Sequence, residues 1–125
     1  MRIRCGVDLV EIERVGRAYR RRPQFLLRRL FSPDEQAELS SRNFRDRHLA
    51  ARFAAKEAVF KVLGVSPGGI AWTEVEILSL STGEPFVRLG ERAKVRAARL
   101  GIKEIAVSLS HSREHAVAQA VAVVK

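Results

Sequence analysis

One long helix, whose C-terminal end is marked in the sequence, constrains the fold of this chain more than any other feature. The stretch from about Asn43 to Leu63 consists mostly of apolar residues and strong helix formers, and Gly64 follows where a left-handed residue commonly ends a helix. We therefore predict a central helix over this stretch. Glu57 and Lys61 lie about one turn apart inside it, close to apolar neighbours.

The chain before this helix begins with a predicted strand. Residues 3–12 alternate in character, and one parity is apolar: Ile3, Cys5, Val7 and Leu9. Asp8 is therefore expected on the face opposite the apolar one. We interpret Cys5, the sole cysteine, as a buried structural residue that cannot form an internal disulfide. A reducing compartment, and hence a cytoplasmic location, is the expectation.

The remaining segments predict an α+β fold with a largely antiparallel sheet around the long central helix. Three stretches ahead of the helix are predicted to be helical: residues 11–20, residues 23–31 and a segment that opens with a capping box at 32–35. After the central helix we predict two strands joined by a turn at 81–85, then a short helix, then a final strand pair that turns near His111. The length of 125 residues suits one domain, 1–125.

The charge of the chain predicts an anionic partner. The net charge is +9, and residues 14–31 contribute seven arginines and no acid. Such a block favours binding to nucleic acid, a membrane surface or an acidic protein, and a face that only aids solubility is the alternative. Nucleic acid is disfavoured because there is no zinc-finger pattern and aromatic residues are only 6% of the chain. No apolar stretch approaches the ~20 residues of a membrane span, so no membrane segment is expected.

Two interpretations of the central helix remain open from the residues alone. Asp8 and Glu57 are carboxylates in apolar surroundings, and one hard divalent cation could satisfy both. Alternatively, Glu57 and Lys61 form an ordinary surface pair contributing ~0.2–0.5 kcal/mol. The spacing of His111 and His115 does not support a metal site, because the predicted setting is a β-hairpin rather than a helix.

Four motifs together resemble the holo-[acyl-carrier-protein] synthase family, the small single-domain type of 4′-phosphopantetheinyl transferase. The motifs are GVDLVEIERV at 6–15, RFAAKEAVFKVLG at 52–64, STGEPFVRL at 81–89 and SLSHSREHAVAQAV at 108–121. They cover nearly the whole chain in the order and at the spacing typical of the family. The resemblance implies the fold of this transferase family.

The resemblance also implies a reaction that belongs to fatty acid and lipid biosynthesis. A serine hydroxyl of apo acyl carrier protein attacks the β-phosphate of coenzyme A. The 4′-phosphopantetheine arm moves to the serine, and adenosine 3′,5′-bisphosphate leaves. The implied cofactor is Mg²⁺, with Mn²⁺ as an alternative, because both ions suit oxygen ligands.

Roles for individual residues follow from the same resemblance. Asp8 and Glu57 would be the metal ligands, and Lys61 would stabilise the leaving group as the third catalytic residue. The implied coenzyme A contacts are Arg45, Arg52, Lys61, Gly83, Pro85 and His111. The basic first helix would bind the acidic carrier protein, with these candidates: Arg14, Arg17, Arg21 and Arg28.

The last expectations from the sequence concern the oligomeric state and two alternative functions. The resemblance implies a homotrimer with active sites between subunits, and both faces of the last strand, AVAQAVAVV, are nearly apolar apart from Gln119. A small nucleic-acid-binding module is the main alternative, and a carrier-binding domain without catalysis is another. Neither alternative accounts for the presence of Asp8, Glu57 and Lys61 together.

Overall fold

The computed structural model describes residues 1–125 and confirms the α+β prediction. Five strands and five helices follow one another along the chain, with a single 3₁₀ turn at Trp72–Glu74. In chain order they are β1 (Arg2–Glu11), α1 (Ile12–Arg21), α2 (Pro23–Leu30), α3 (Pro33–Ser41), α4 (Asp46–Leu63), β2 (Val75–Ser79), β3 (Pro85–Leu89), α5 (Glu91–Arg99), β4 (Ile102–His111) and β5 (His115–Val124).

The strands form two antiparallel sheets rather than the one that the sequence suggested. The larger sheet has the order β1-β5-β4, and β2 pairs only with β3. Helix α4 packs across the larger sheet, and its alanines and valines form the main core with the small side chains of β5. This arrangement brings the middle of α4 against the middle of β1, where Asp8 lies.

Both ends of α4 are set by local backbone geometry. The helix begins at Asp46, not near Asn43 as predicted, because Asn43 and Phe44 adopt left-handed conformations with φ of 60° and 49°. Gly64 ends the helix with φ of 66°, as predicted. Arg96 donates from Nε to the carbonyl of Leu63 at 2.8 Å, which satisfies a carbonyl that the helix leaves free.

The alternation suggests that the apolar face of β1 is buried, but in the structure this face is exposed and the opposite face is the more buried one. The apolar side chains of Ile3, Val7 and Leu9 are 65%, 56% and 63% exposed. Cys5 is exposed with them, so the prediction of a buried cysteine is wrong for the single chain. The opposite parity packs on α4, because buried Gly6 has no side chain and lets the helix approach the strand backbone.

The last strand continues the same division of the sheet into two faces. The even-numbered residues of β5, from Ala116 to Val124, are buried beneath α4. The odd-numbered residues lie on the outer face, where Gln119 is exposed between Val7 and Ser108 of the neighbouring strands. None of the helices combines the length and the hydropathy needed to cross a membrane.

Candidate active site

Two carboxylates meet where β1 crosses α4. Asp8 is nearly buried, its side chain being 15% exposed, and the carboxyl group of Glu57 lies within hydrogen-bonding reach of it. With both carboxyl groups ionised, Oδ2 of Asp8 has no hydrogen-bond partner. Lys61 pairs with Asp8 at 3.6 Å and donates to the carbonyl of Val7 at 2.7 Å. Lys61 therefore contacts Asp8 and the backbone of β1 and does not form an isolated surface pair with Glu57.

The electrostatics of this pair favour a bound cation. Burial, followed by the hydrogen bond and the charge of Asp8, raises the pKa of Glu57 from 4.5 to about 7, while Lys61 acts in the opposite direction. Two facing carboxylates and an unpartnered buried oxygen fit a hard divalent ion, which takes oxygen ligands. The pair has no third ligand from the chain, since the structure contains no group of three or more His, Cys, Asp or Glu side chains that could hold a metal ion.

The raised pKa of Glu57 predicts a pH-dependent stability. The unfolded chain releases this proton near 4.5 and the folded metal-free protein near 7, so the proton favours the folded state. The contribution of Glu57 to the free energy of unfolding should be complete below pH 4.5 and should be lost as the pH rises through about 7. Added Mg²⁺ should restore stability progressively over the same interval if the ionised pair holds a divalent cation.

Urea unfolding across this pH range, with chelator and with Mg²⁺, measures the effect. Glu57→Gln is the matched control, because it cannot ionise and should remove this pH dependence and the response to Mg²⁺. A parent protein whose stability is equally insensitive to pH and Mg²⁺ would contradict the pairing of the two carboxylates.

Gly6 sets the distance between the two elements that carry the pair. A Cβ atom there would lie 2.8 Å from Cβ of Lys61 and closer still to the carbonyl oxygen of Ala58. We expect Gly6→Ala to cost ~1–3 kcal/mol of stability through overpacking and to separate Asp8 from Glu57. The unfolding free energy and the response of stability to Mg²⁺, measured on the same variant, test this, and parent-like values of both would refute it.

A groove of about 660 Å³ extends away from the carboxylates. Its apolar floor includes Phe53, which stacks on Trp72 with ring centroids 5.4 Å apart. Of the predicted carrier-binding arginines, Arg14 and Arg21 line this groove. Arg17 and Arg28 are exposed outside it.

Two further arginines line the groove and were not singled out from the sequence. They are Arg22, the residue between α1 and α2, and Arg29, in the last turn of α2. The break at Pro23 was predicted, but which arginines of the two short helices face the groove depends on how α1 and α2 pack, and the sequence gives no signal for that.

A second groove, of about 560 Å³, lies on another side of α1, and several of the residues that line it are basic. Arg45 and His111 both line this groove, together with Arg47 and Arg113. Burial, followed by the charges of Arg42, Arg52, Arg47 and His111, lowers the pKa of nearby His48 from 6.5 to about 4. Such a concentration of cations attracts anions.

The other predicted ligand contacts lie outside both grooves. Arg52 is 5% exposed, donates to the hydroxyl of Ser79 at 3.2 Å and leaves its Nε without a partner. Gly83, with φ of 92°, lies in the β2–β3 turn and Pro85 begins β3. In the single chain these residues and the carboxylate pair do not line a common cavity.

Comparisons with known proteins bear out the resemblance seen in the four motifs. The sequence profile of the 4′-phosphopantetheinyl transferase superfamily matches residues 4–120. A holo-[acyl-carrier-protein] synthase from Moorella thermoacetica is 46% identical over 98% of this chain and 94% of its own length. The matched length spans the carboxylate pair and both grooves.

Two solved structures share the fold. Holo-[acyl-carrier-protein] synthase from Helicobacter pylori in complex with coenzyme A has a TM-score of 0.84 and 26% identity, covering 95% of this chain and 99% of the other. An ACPS–CoA complex from Chronobacterium ammoniagenes has a TM-score of 0.86 and 30% identity, covering 100% of this chain and 99% of the other. The similarity therefore includes the whole arrangement of strands and helices.

Proposed function

Because this chain belongs to the holo-[acyl-carrier-protein] synthases of the 4′-phosphopantetheinyl transferase superfamily, we propose that it moves the 4′-phosphopantetheine arm of coenzyme A to a serine of apo acyl carrier protein and releases adenosine 3′,5′-bisphosphate. The observation that carries this proposal is the Asp8–Glu57 pair beside Lys61, at the head of a groove lined by arginines. The single cysteine fits the cytoplasm, where thiols stay reduced.

Asp8 and Glu57 are the residues that would hold Mg²⁺, or Mn²⁺ in its place. The unpartnered oxygen of Asp8 and the raised pKa of Glu57 both support a cation between these groups. Mg²⁺ commonly binds one or two carboxylates together with waters and substrate phosphates, which suits a site of two carboxylates. When bound, the ion would supply neutralisation of charge on the pyrophosphate.

The remaining charges would orient coenzyme A. Lys61 is about half exposed beside Asp8, so its ammonium can reach a pyrophosphate and stabilise charge on the leaving group. Arg45 and His111 would bind a second phosphate in the groove where they meet. Arg52, Gly83 and Pro85 complete the proposed coenzyme A contacts, and these three assignments follow from the family membership alone.

The arginine-lined groove would receive the carrier protein. Its apolar floor and cationic rim suit an acidic amphipathic helix, and its position next to Asp8 and Glu57 would bring a serine to the reacting phosphate. Arg14 and Arg21 are the proposed contacts from the lining, while Arg17 and Arg28 lie farther out and would act through longer-range attraction.

We also propose that the protein is a homotrimer assembled through the outer face of the β1-β5-β4 sheet. Exposed Ile3, Val7 and Leu9 lie in one row on that face beside the odd-numbered valines of β5, and a contiguous apolar surface of this kind needs a partner. Gln119, in its centre, would pair with a polar group of another subunit. Completion of the site by a neighbour would account for coenzyme A contacts that a single chain leaves apart.

A charge on this face should prevent assembly. Val7→Arg places a cation in the apolar row, and sedimentation equilibrium should then show monomers where the parent shows trimers. Val95→Arg is the matched control, because Val95 is 53% exposed on α5 and Val7 is 56% exposed on the sheet. A parent that is monomeric and fully active at micromolar concentration would refute the trimer.

A direct assay tests the reaction. The mass of apo acyl carrier protein should increase by that of one phosphopantetheine arm after incubation with the protein, coenzyme A and Mg²⁺, and adenosine 3′,5′-bisphosphate should appear in equal amount. Chelator should stop both changes. No modification of any acidic carrier protein, in a sample shown to be folded, would refute the proposed function.

A further inference from the structure

A buried ion pair lies on the side of α4 away from Asp8. Lys56 and Glu35 are each 0% exposed, and Nζ of Lys56 lies 2.8 Å from Oε1 of Glu35. Nζ also donates to the carbonyl oxygens of Trp72 at 2.9 Å and Val75 at 2.5 Å. These three acceptors use all three hydrogens of the ammonium group, so Lys56 has none left for a substrate.

Glu35 extends this network to two further elements. Its Oε1 accepts from the backbone N–H of Ser32 at 3.0 Å, which closes the capping box of α3. Its Oε2 accepts from the N–H of Ile77 at 2.9 Å in β2. One side chain of α4 is thereby tied to α3, to the 3₁₀ turn and to β2.

The network also determines where the side chain of Glu57 points, because Lys56 directly precedes Glu57 in the helix. Successive residues of an α-helix project about 100° apart, so holding Lys56 fixes the rotation of α4 about its own axis. A rotation of α4 would carry the carboxylate of Glu57 away from Asp8, and the bonds of Lys56 to Glu35, Trp72 and Val75 oppose it.

We infer that Lys56 and Glu35 are positioning residues that hold α4 in the rotation at which Glu57 faces Asp8, and that Lys56 itself does not touch coenzyme A. This inference rests on the proposed cation site at Asp8 and Glu57. It separates the two lysines of the helix by role, since Lys61 is about half exposed beside Asp8 whereas Lys56 is fully buried against α3 and β2.

Binding of Mn²⁺ to the folded protein without substrates tests the inference, with paramagnetic resonance reporting free Mn²⁺. Lys56→Gln keeps a donor for Glu35 and should weaken Mn²⁺ binding about 10–100-fold, as outer partners of metal ligands commonly do. Transfer should show a matching fall in kcat with little change in KM for coenzyme A. Glu35→Gln, which keeps an acceptor for Lys56, should give the same pattern.

Arg96→Met is the control, because it should lower the stability of the protein without changing the rotation of α4. It removes a donor to the last carbonyls of α4 but no contact of Lys56, so Mn²⁺ affinity and kcat should stay at the parent level. Thermal unfolding of every variant shows that the compared proteins are folded.

The outcomes distinguish this inference from the proposed function. A parent protein that binds no Mn²⁺ would overturn the cation site, and with it the positioning role of Lys56. Parent-like Mn²⁺ affinity and kcat in folded Lys56→Gln would overturn the positioning role alone. A rise in KM for coenzyme A with unchanged Mn²⁺ affinity would make Lys56 a substrate ligand and would also overturn it.

Discussion

Replacing Glu57 by glutamine should lower the transfer rate by about 10²–10³-fold while the protein remains folded. The amide keeps the size of the side chain but removes one of the two charges that would hold the cation against the pyrophosphate. Asp8→Asn should have the same effect, because its unpartnered oxygen faces the same point. The double variant should be little worse than either single one if the two residues act as a unit.

Initial rates at saturating coenzyme A, carrier protein and Mg²⁺ measure this effect. Glu104→Gln is the matched control, since Glu104 is an exposed carboxylate on β4 outside the site. Near-normal turnover of either site variant at saturating Mg²⁺ would rule out a shared cation. Multiplying rather than overlapping losses would indicate that Asp8 and Glu57 act separately.

Reversing two charges in the groove should raise KM for the carrier protein and leave KM for coenzyme A nearly unchanged. Arg14→Glu together with Arg21→Glu replaces attraction by repulsion towards an acidic partner, which costs several kcal/mol, so KM for apo carrier protein should rise by at least about tenfold. KM for coenzyme A should change little, because its proposed contacts lie elsewhere. Added salt should slow the parent more than the variant, because screening weakens only an attraction that is present.

The chain offers a control with the same change in net charge. Arg17→Glu with Arg28→Glu alters two arginines of the same block that lie outside the groove lining, and it should have a much smaller effect. Kinetics at two salt concentrations, with each substrate varied in turn, decide the matter. Equal damage by the two double variants would mean that only the net charge of the block matters, not the groove.

Features that depend on neighbours in the sequence were predicted well. The capping box of Ser32 and Glu35 and the stop at Gly64 involve a few consecutive residues, and both are present. The hairpin of the last two strands was also predicted, because its turn and its apolar runs are local signals. By contrast, the partners of Glu35 in α4 and β2 lie 21 and 42 residues away, beyond any such signal.

The error on β1 has a physical reason as well. Alternation of apolar and polar residues shows that a strand has two different faces, but it does not show which face meets the helix. Gly6 decides the matter by allowing close approach on the side of Asp8, and the apolar face is left exposed. The pairing of Asp8 with Glu57 came from the family resemblance, since 49 residues separate them and spacing alone favoured a surface pair of Glu57 with Lys61.

The stacking of Trp72 on Phe53 gives the protein an optical probe of its own groove. Trp72 is the only tryptophan, so the intrinsic emission excited at the red edge of the protein spectrum comes from one known place. Phe53 separates its indole from the groove, and Phe60 meets it edge-on at 5.1 Å on another side. A partner bound in the groove would contact Phe53 and change the surroundings of the indole. Stopped-flow measurement of Trp72 fluorescence, as quenching or as a shift of the emission wavelength, would then follow the binding of an unlabelled partner.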